Sequence, residues 1–203
     1  MSEIANRRPL RSRQTGWATT LAQVLFKTPL TPNAVSVAGI GFAAAGATCF
    51  VFAGDKPLLW LGGALFIQLR LLANLMDGLL AVEGGRKSPT GALFNEFPDR
   101  IEDALLLVAA GYGAGVPTLG WAAALLAMGT AYVRALGGSL GLPQDFRGPM
   151  AKQHRMALLT AGAVASLFVP ALPWILGAIA LGSALTAGRR LMRQAHLLNE
   201  AAR

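Results

Sequence analysis

Apolar residues gather into six long runs along this chain, separated by short polar or turn-forming clusters, and the runs predict helices. Ahead of them, Trp17, Leu21, Val24 and Leu25 recur at helical spacing between Gly16 and Phe26, which predicts a short amphipathic helix lying in a membrane interface. The cluster Thr28-Pro29-Leu30-Thr31-Pro32-Asn33 then sets up a first run, roughly Ala34 to Ala53, whose glycines and alanines offer a smooth face for close helix packing. Further runs are expected at about Leu58 to Ala81, Ala92 to Ala114, Leu119 to Leu136, Met156 to Val169 and Trp174 to Ala187. Runs of about twenty apolar residues can cross a hydrocarbon core as helices, so the expected class is an all-α polytopic membrane protein with six transmembrane helices plus the N-terminal interfacial helix.

The second and third runs are interrupted by polar residues that hydrocarbon does not favour. Gln68, Arg70, Asn74 and Asp77 fall in the second; Asn95, Glu96, Asp99, Arg100, Glu102 and Asp103 open the third. Asn74 and Asp77 share one helical face, as do Asn95 and Asp99, with Glu102 on the same side and Glu96 and Arg100 pointing elsewhere. A turn of roughly ten residues brings the two faces together, and their oxygen atoms suit a hard cation, Mg²⁺ or Mn²⁺. Gly78, Ala81 and Gly91 clear side-chain volume beside that position, where a flat base or a diphosphate can approach the backbone. Hydrogen bonding between helices as packing glue is the bland alternative. Arg70 lies one turn before Asn74, suited to a substrate phosphate, to pairing with an acid, or to snorkelling toward an interface. A second, cationic set comprises Arg134, Arg147, Lys152 and Arg155, whose forks and ammonium suit phosphate oxygens; for Arg147, ordinary topological charge accounts for it better.

Composition strengthens the membrane reading: 54% of residues are hydrophobic, 14% are charged, and mean hydropathy is +0.49. The net charge of +8 sits at run ends and not on one soluble face, which points to anionic lipid and away from nucleic acid. The single cysteine, Cys49, excludes a disulfide framework. Residues 1–15 carry Arg7, Arg8, Arg11 and Arg13 and read as a basic cytoplasmic arm without a signal peptide, leaving 16–203 as a single membrane-embedded domain. Lys and Arg concentrate in the arm, the 82–91 turn, the 137–155 connection and the tail, while the opposite turns hold only Lys56. Both termini and the acidic cluster are therefore expected on the cytoplasmic side, as in a bacterial-type inner membrane.

At these residues the chain resembles the CDP-alcohol phosphatidyltransferase family, whose signature reads D-x-x-D-G-x-x-A-R, eight or nine residues, then G-x-x-x-D-x-x-x-D. The frame is kept at Asp77, Gly78, Ala81, Gly91 and Asp99, and departs at Asn74, Val82 and Asn95. Thr31-Pro32-Asn33 and the segment around Arg134 add weaker likeness. The resemblance implies a metal-dependent transferase of phospholipid biosynthesis, in which an acceptor alcohol attacks a CDP-linked lipid such as CDP-diacylglycerol and expels CMP. It implies Asp77, Asp99, Asn74 and Asn95 around the metal, Asp99 as the base, Gly78, Ala81 and Gly91 beside the CDP-lipid, and Arg134 on an acceptor phosphate. Arg147, Lys152 and Arg155 would assist Arg134, and Arg70, Glu102 and Asp103 would be auxiliary, the acids restoring charge lost at the two Asn. A homodimer is expected from family habit and small-residue faces. Two rivals stay open: a pseudoenzyme binding lipid or nucleotide on the same fold, and a small membrane transporter.

Overall fold

The computed structural model describes residues 16–86 and 88–201, among which every regular element is a helix. The basic arm, with Arg7, Arg8, Arg11 and Arg13, and Lys87 of the turn lie outside the described residues. Seven helices follow in order: α1 Gly16–Phe26, α2 Pro32–Phe52, α3 Leu59–Val82, α4 Gly91–Gly113, α5 Pro117–Ser139, α6 Lys152–Ala165 and α7 Leu172–Ala201. Four of them, α2, α3, α5 and α7, are long and apolar enough to cross a membrane, and the protein is an integral membrane protein. Helix α4 carries too many charges for that criterion, and α6, with 14 residues, measures only about 21 Å at 1.5 Å per residue.

Local chemistry explains most boundaries. Thr31 Oγ1 accepts the Ala34 N–H at 3.2 Å and Pro32 occupies the first turn, so α2 starts where its first free donors are satisfied. Pro117 opens α5 in the same way after Gly115, whose φ of +71° turns the chain at no steric cost. Two helices depart from expectation. Helix α6 begins at Lys152, not near Met156, because Arg155 is buried against an acid of α4 and so belongs to the packed bundle. Helix α7 runs on to Ala201, well past Ala187, because its polar extension packs: Gln194 Nε2 donates to Val133 O at 2.8 Å, with its amide over Gly137.

Helix α2 packs against α3 and α4, α5 against α4 and α7, and α6 against α3 and α7. Small residues permit the closest approaches. A Cβ at Gly111 of α4 would stand 2.8 Å from Gly120 Cα of α5, so these two backbones touch at a glycine pair. Phe50 of α2 lies over Gly63 of α3 and tilts against Trp60, with ring centroids 5.8 Å apart. This apolar core occupies one half of the bundle; the polar residues of α3, α4 and α6 converge in the other. Helix α1 lays Leu21, Leu25 and Phe26 on Leu75, Met76 and Leu79 of α3 and leaves Trp17 and Val24 exposed.

Candidate active site

A cavity of about 1070 Å³ opens where α2, α3, α4, α5 and α6 meet, and its wall changes character from one side to the other. Asn74, Asp77, Asn95 and Asp99 line it, with Ala81 and Gly91 beside them; Arg134, Lys152, Arg155 and Arg190 form a cationic side, and Leu71, Leu72 and Leu75 an apolar one. Gly78 is buried next to Asp77 and is not part of the lining. At Gly91 an added Cβ would meet nothing closer than Ser88 Oγ at 3.5 Å, so the volume that glycine leaves free faces the cavity.

Helix α3 carries its polar residues on the stripe Arg70, Asn74, Asp77, and α4 presents Asp99, Glu102 and Asp103 to it. The floor of the cavity is a buried ionic lattice. Arg70 donates through Nε to Glu102 and through Nη2 to Asp103 Oδ1 at 2.6 Å. From α6, Arg155 donates through Nη2 to Asp103 Oδ2 at 2.6 Å and through Nη1 to Met150 O at 3.0 Å. Two cations face two acids, and all four side chains are buried, as is necessary for charges inside a helical bundle. Glu102 and Asp103 thus spend their charge on arginines, which is where the structure parts from their expected role as replacement metal acids. Arg155 reaches the cavity wall but is committed to Asp103. Arg147 lies apart, 69% exposed and paired with Asp145.

Above this floor, Asp99 receives Lys152 Nζ and, at 2.7 Å, the amide nitrogen of Asn74. That amide also donates to Glu102 Oε2 at 3.0 Å, so Asn74 turns its nitrogen, not its oxygen, toward the acids. Asp77 accepts a short hydrogen bond from Ser36 Oγ of α2, and among the described residues its Oδ1 is buried without a hydrogen-bond partner. Among the described residues no three His, Cys, Asp or Glu side chains converge on one point. Three carboxylates among the described residues face the cavity; Glu96 is paired with Arg100 and Arg134, while Asp77, Asp99 and the Asn95 amide form a set of hard ligands that fits a Mg²⁺- or Mn²⁺-type ion. On the cationic side, Arg134 is held by Gln144 and Glu96, and its guanidinium lies 5.2 Å from the ring centre of Phe146.

Three contributors escaped the sequence pattern. Ser36 is a lone hydroxyl within an apolar run, Arg190 is hidden in a basic tail, and Arg86 sits in a polar turn. Arg190 donates to Arg147 O and Thr130 O, both at 2.8 Å, tying α7 to α5 and to the connection. Arg86 caps the end of α1 by donating to Phe26 O, Thr28 O and Leu30 O. Their only sequence signal was a polar group within reach of helix ends, shared by many residues that do nothing of the kind.

No protein-family model matches the chain. Over 189 residues it is 30% identical to the phosphatidylinositol phosphate synthase of Streptomyces avermitilis, covering 86% of this chain and 76% of that one. The chain belongs to the CDP-alcohol phosphatidyltransferase family. It is also 37% identical over 144 residues to a bifunctional IPC transferase and DIPP synthase of Rubrobacter xylanophilus, a match that covers 68% of this chain but only 32% of that longer protein. Crystal structures of the Mycobacterium tuberculosis phosphatidylinositol phosphate synthase, one with manganese and citrate and one with CDP-DAG bound, share its fold at a TM-score of 0.76 and 24% identity. They cover 87% of this chain, and the chain covers 88% and 92% of theirs.

Removing one acid of the floor should cost more than a surface substitution. Asp103→Asn leaves Arg70 and Arg155 short of their shared counter-ion, and a loss of about 3–5 kcal/mol is expected. Thermal unfolding of the purified protein in detergent checks this; a midpoint equal to that of the native chain would mean that the lattice contributes nothing.

Proposed function

We propose that this chain transfers a phosphatidyl group from a CDP-linked lipid such as CDP-diacylglycerol to the hydroxyl of a phosphate-bearing alcohol, releasing CMP. The acceptor class indicated by the names of its relatives is an inositol phosphate. One observation carries the reading: a single cavity joins the Asp77 and Asp99 carboxylates to a wall of arginine and lysine and to an apolar side. Carboxylates suit a cation-bound diphosphate, guanidinium forks suit an acceptor phosphate, and leucines suit acyl chains.

In the proposed reaction the acceptor oxygen forms a bond to the lipid-bearing phosphorus as the bond from that phosphorus to the CMP oxygen breaks. The hydroxyl proton passes to the Asp99 carboxylate. Lys152 and the Asn74 amide hold Asp99 in position, and Ser36 does the same for Asp77. Asp77, Asp99 and Asn95 would hold Mg²⁺ or Mn²⁺, which supplies charge neutralisation at the diphosphate. Arg134, kept in orientation by Gln144, Glu96 and Phe146, receives the acceptor phosphate, and Arg190 borders the same wall.

In the same reading α4 and α6 complete six spans around this cavity, α1 lies in the interface, residues 1–15 form a cytoplasmic arm, and 16–203 form one domain that pairs as a homodimer. Both termini and the 82–91 turn face the cytoplasm, where nucleotide-linked substrates are found. The distribution of Lys and Arg supports this orientation.

The decisive measurement is CMP release by the purified protein from CDP-diacylglycerol and inositol phosphate, with and without Mg²⁺ or Mn²⁺. Asp77→Asn and Asp99→Asn should each abolish release at any metal concentration; variants that keep the native rate would return this stretch to packing glue. A native protein that binds substrate but releases no CMP would be a pseudoenzyme.

Arg134→Lys keeps the charge but loses the fork. It should weaken apparent acceptor affinity by about 1–3 kcal/mol, read as a raised acceptor KM with little change for the CDP-lipid. If productive acceptors all lack phosphate, the assignment of Arg134 is wrong.

A further inference from the structure

The rim of the cavity is built from stretches of chain that lie far apart in sequence. Trp17 comes from α1, Pro32 and Asn33 from the start of α2, and Arg86, Ser88 and Gly91 from the turn between α3 and α4. One guanidinium ties them together. Gly85, at a φ of +64°, turns the chain back at the end of α3, and the Arg86 N–H reaches Leu80 O at 3.4 Å. From there the Arg86 side chain donates through Nη2 to Phe26 O at 2.8 Å, and through Nη1 to Thr28 O at 2.9 Å and Leu30 O at 2.6 Å. These carbonyls belong to the last residue of α1 and to the irregular linker behind it. Pro29 and Pro32 offer no N–H there, so the turn supplies donors that the linker lacks. Asn33 adds a second tie, its Nδ2 lying 3.2 Å from Thr90 Oγ1 and 3.4 Å from Ser88 Oγ.

The seat of α1 on the bundle is small. Leu21, Leu25 and Phe26 rest on Leu75, Met76 and Leu79 of α3, and a Cβ added at Gly84 would stand 3.0 Å from the Phe26 ring. Leu75 serves two surfaces at once, since it carries α1 and also lines the apolar side of the cavity. Trp17 lines the same cavity while remaining 55% exposed. Helix α1 therefore continues the apolar side formed by Leu71, Leu72 and Leu75 beyond α3 itself.

We infer that Arg86 is a positioning residue: it clasps α1 to the α3–α4 turn, and α1, held in this way, forms an outer wall against which the acyl chains of a lipid substrate lie. The inference rests on the proposed transferase reading in taking a CDP-linked lipid as the occupant of the cavity. Because the guanidinium is committed to three carbonyls, its effect on binding passes through α1 and not through contact with the nucleotide.

The test compares two ligands that share a head and differ in their chains, CDP-diacylglycerol and CDP, binding to the full chain in detergent micelles with Mn²⁺ present. Two variants are used. Arg86→Lys keeps the charge and loses the fork, and Phe26→Ala loosens α1 at a residue that does not line the cavity. Each should weaken CDP-diacylglycerol about tenfold, the order expected when one large apolar side chain no longer covers a ligand, and leave CDP unchanged. Each should also speed trypsin cleavage after the exposed Lys27 of the linker, a readout that needs no ligand. Equal losses for both ligands would place Arg86 on the head group and overturn the inference. Unchanged lipid affinity in both variants would overturn it too, as would a lipid-specific loss without faster cleavage. A native chain that binds neither ligand would instead overturn the transferase reading and the lipid role of α1 with it, and unchanged cleavage would then remove the clasp as well.

Discussion

The pairing of Arg70 with Glu102 and Asp103 is the contact on which the polar half of this protein depends. An unpaired guanidinium at that depth would cost several kcal/mol, and so would either acid. Once paired, Arg70 fixes the axial register of α3 against α4, since its Nε and Nη2 reach successive residues of the facing helix. Asn74 and Asp77 follow one and two turns along the same stripe, so their level relative to Asp99 is set by a bond in which neither takes part. Arg155 then adds α6 to the same node through the second oxygen of Asp103, and this brings Lys152, one turn earlier, to Asp99. A buried lattice of two arginines and two acids thus positions the cavity.

The other half of the bundle is held differently. Between α4 and α5 the contact is backbone on backbone at Gly111 and Gly120, and between α2 and α3 it is an aromatic ring on a glycine. Such contacts gain from dispersion and tolerate no added volume, while imposing no charge requirement. Helix α5 belongs to both halves: its glycine end is locked to α4, and its far end carries Arg134 and is strapped to α7 by Arg190 and Gln194. The long extension of α7 therefore bears on where the guanidinium of Arg134 stands.

These differences decide what could be read from the chain. Apolar runs and their breakers, such as Thr31-Pro32 and Gly115 to Pro117, mark α2 to α5 closely because the signals are local. The start of α6 and the length of α7 were not legible, since polar residues such as Arg155 and Gln194 become helical and buried only when partners 52 and 61 positions away are in place. The stripe Arg70, Asn74, Asp77 could be drawn from helical spacing alone. What spacing cannot say is which atom of Asn74 turns inward, because that depends on Glu102 across the helix interface. For the same reason Glu102 and Asp103 looked like spare metal acids: their alignment was visible and their arginines were not.

The asparagine at position 74 is best understood together with its surroundings. Judged against the family frame it is a lost carboxylate. Judged against Glu102 and Asp99, both within 3.0 Å of its nitrogen, it is a donor that serves two carboxylates at once. Position 74 and position 102 are thus joined by a direct hydrogen bond, and Lys152 bonds to the same Asp99 oxygen that receives Asn74. The chemistry of such a site is decided by its local charges and by the direction of each hydrogen bond, so a motif letter changed at one position has to be weighed with the residues it meets on the facing helix.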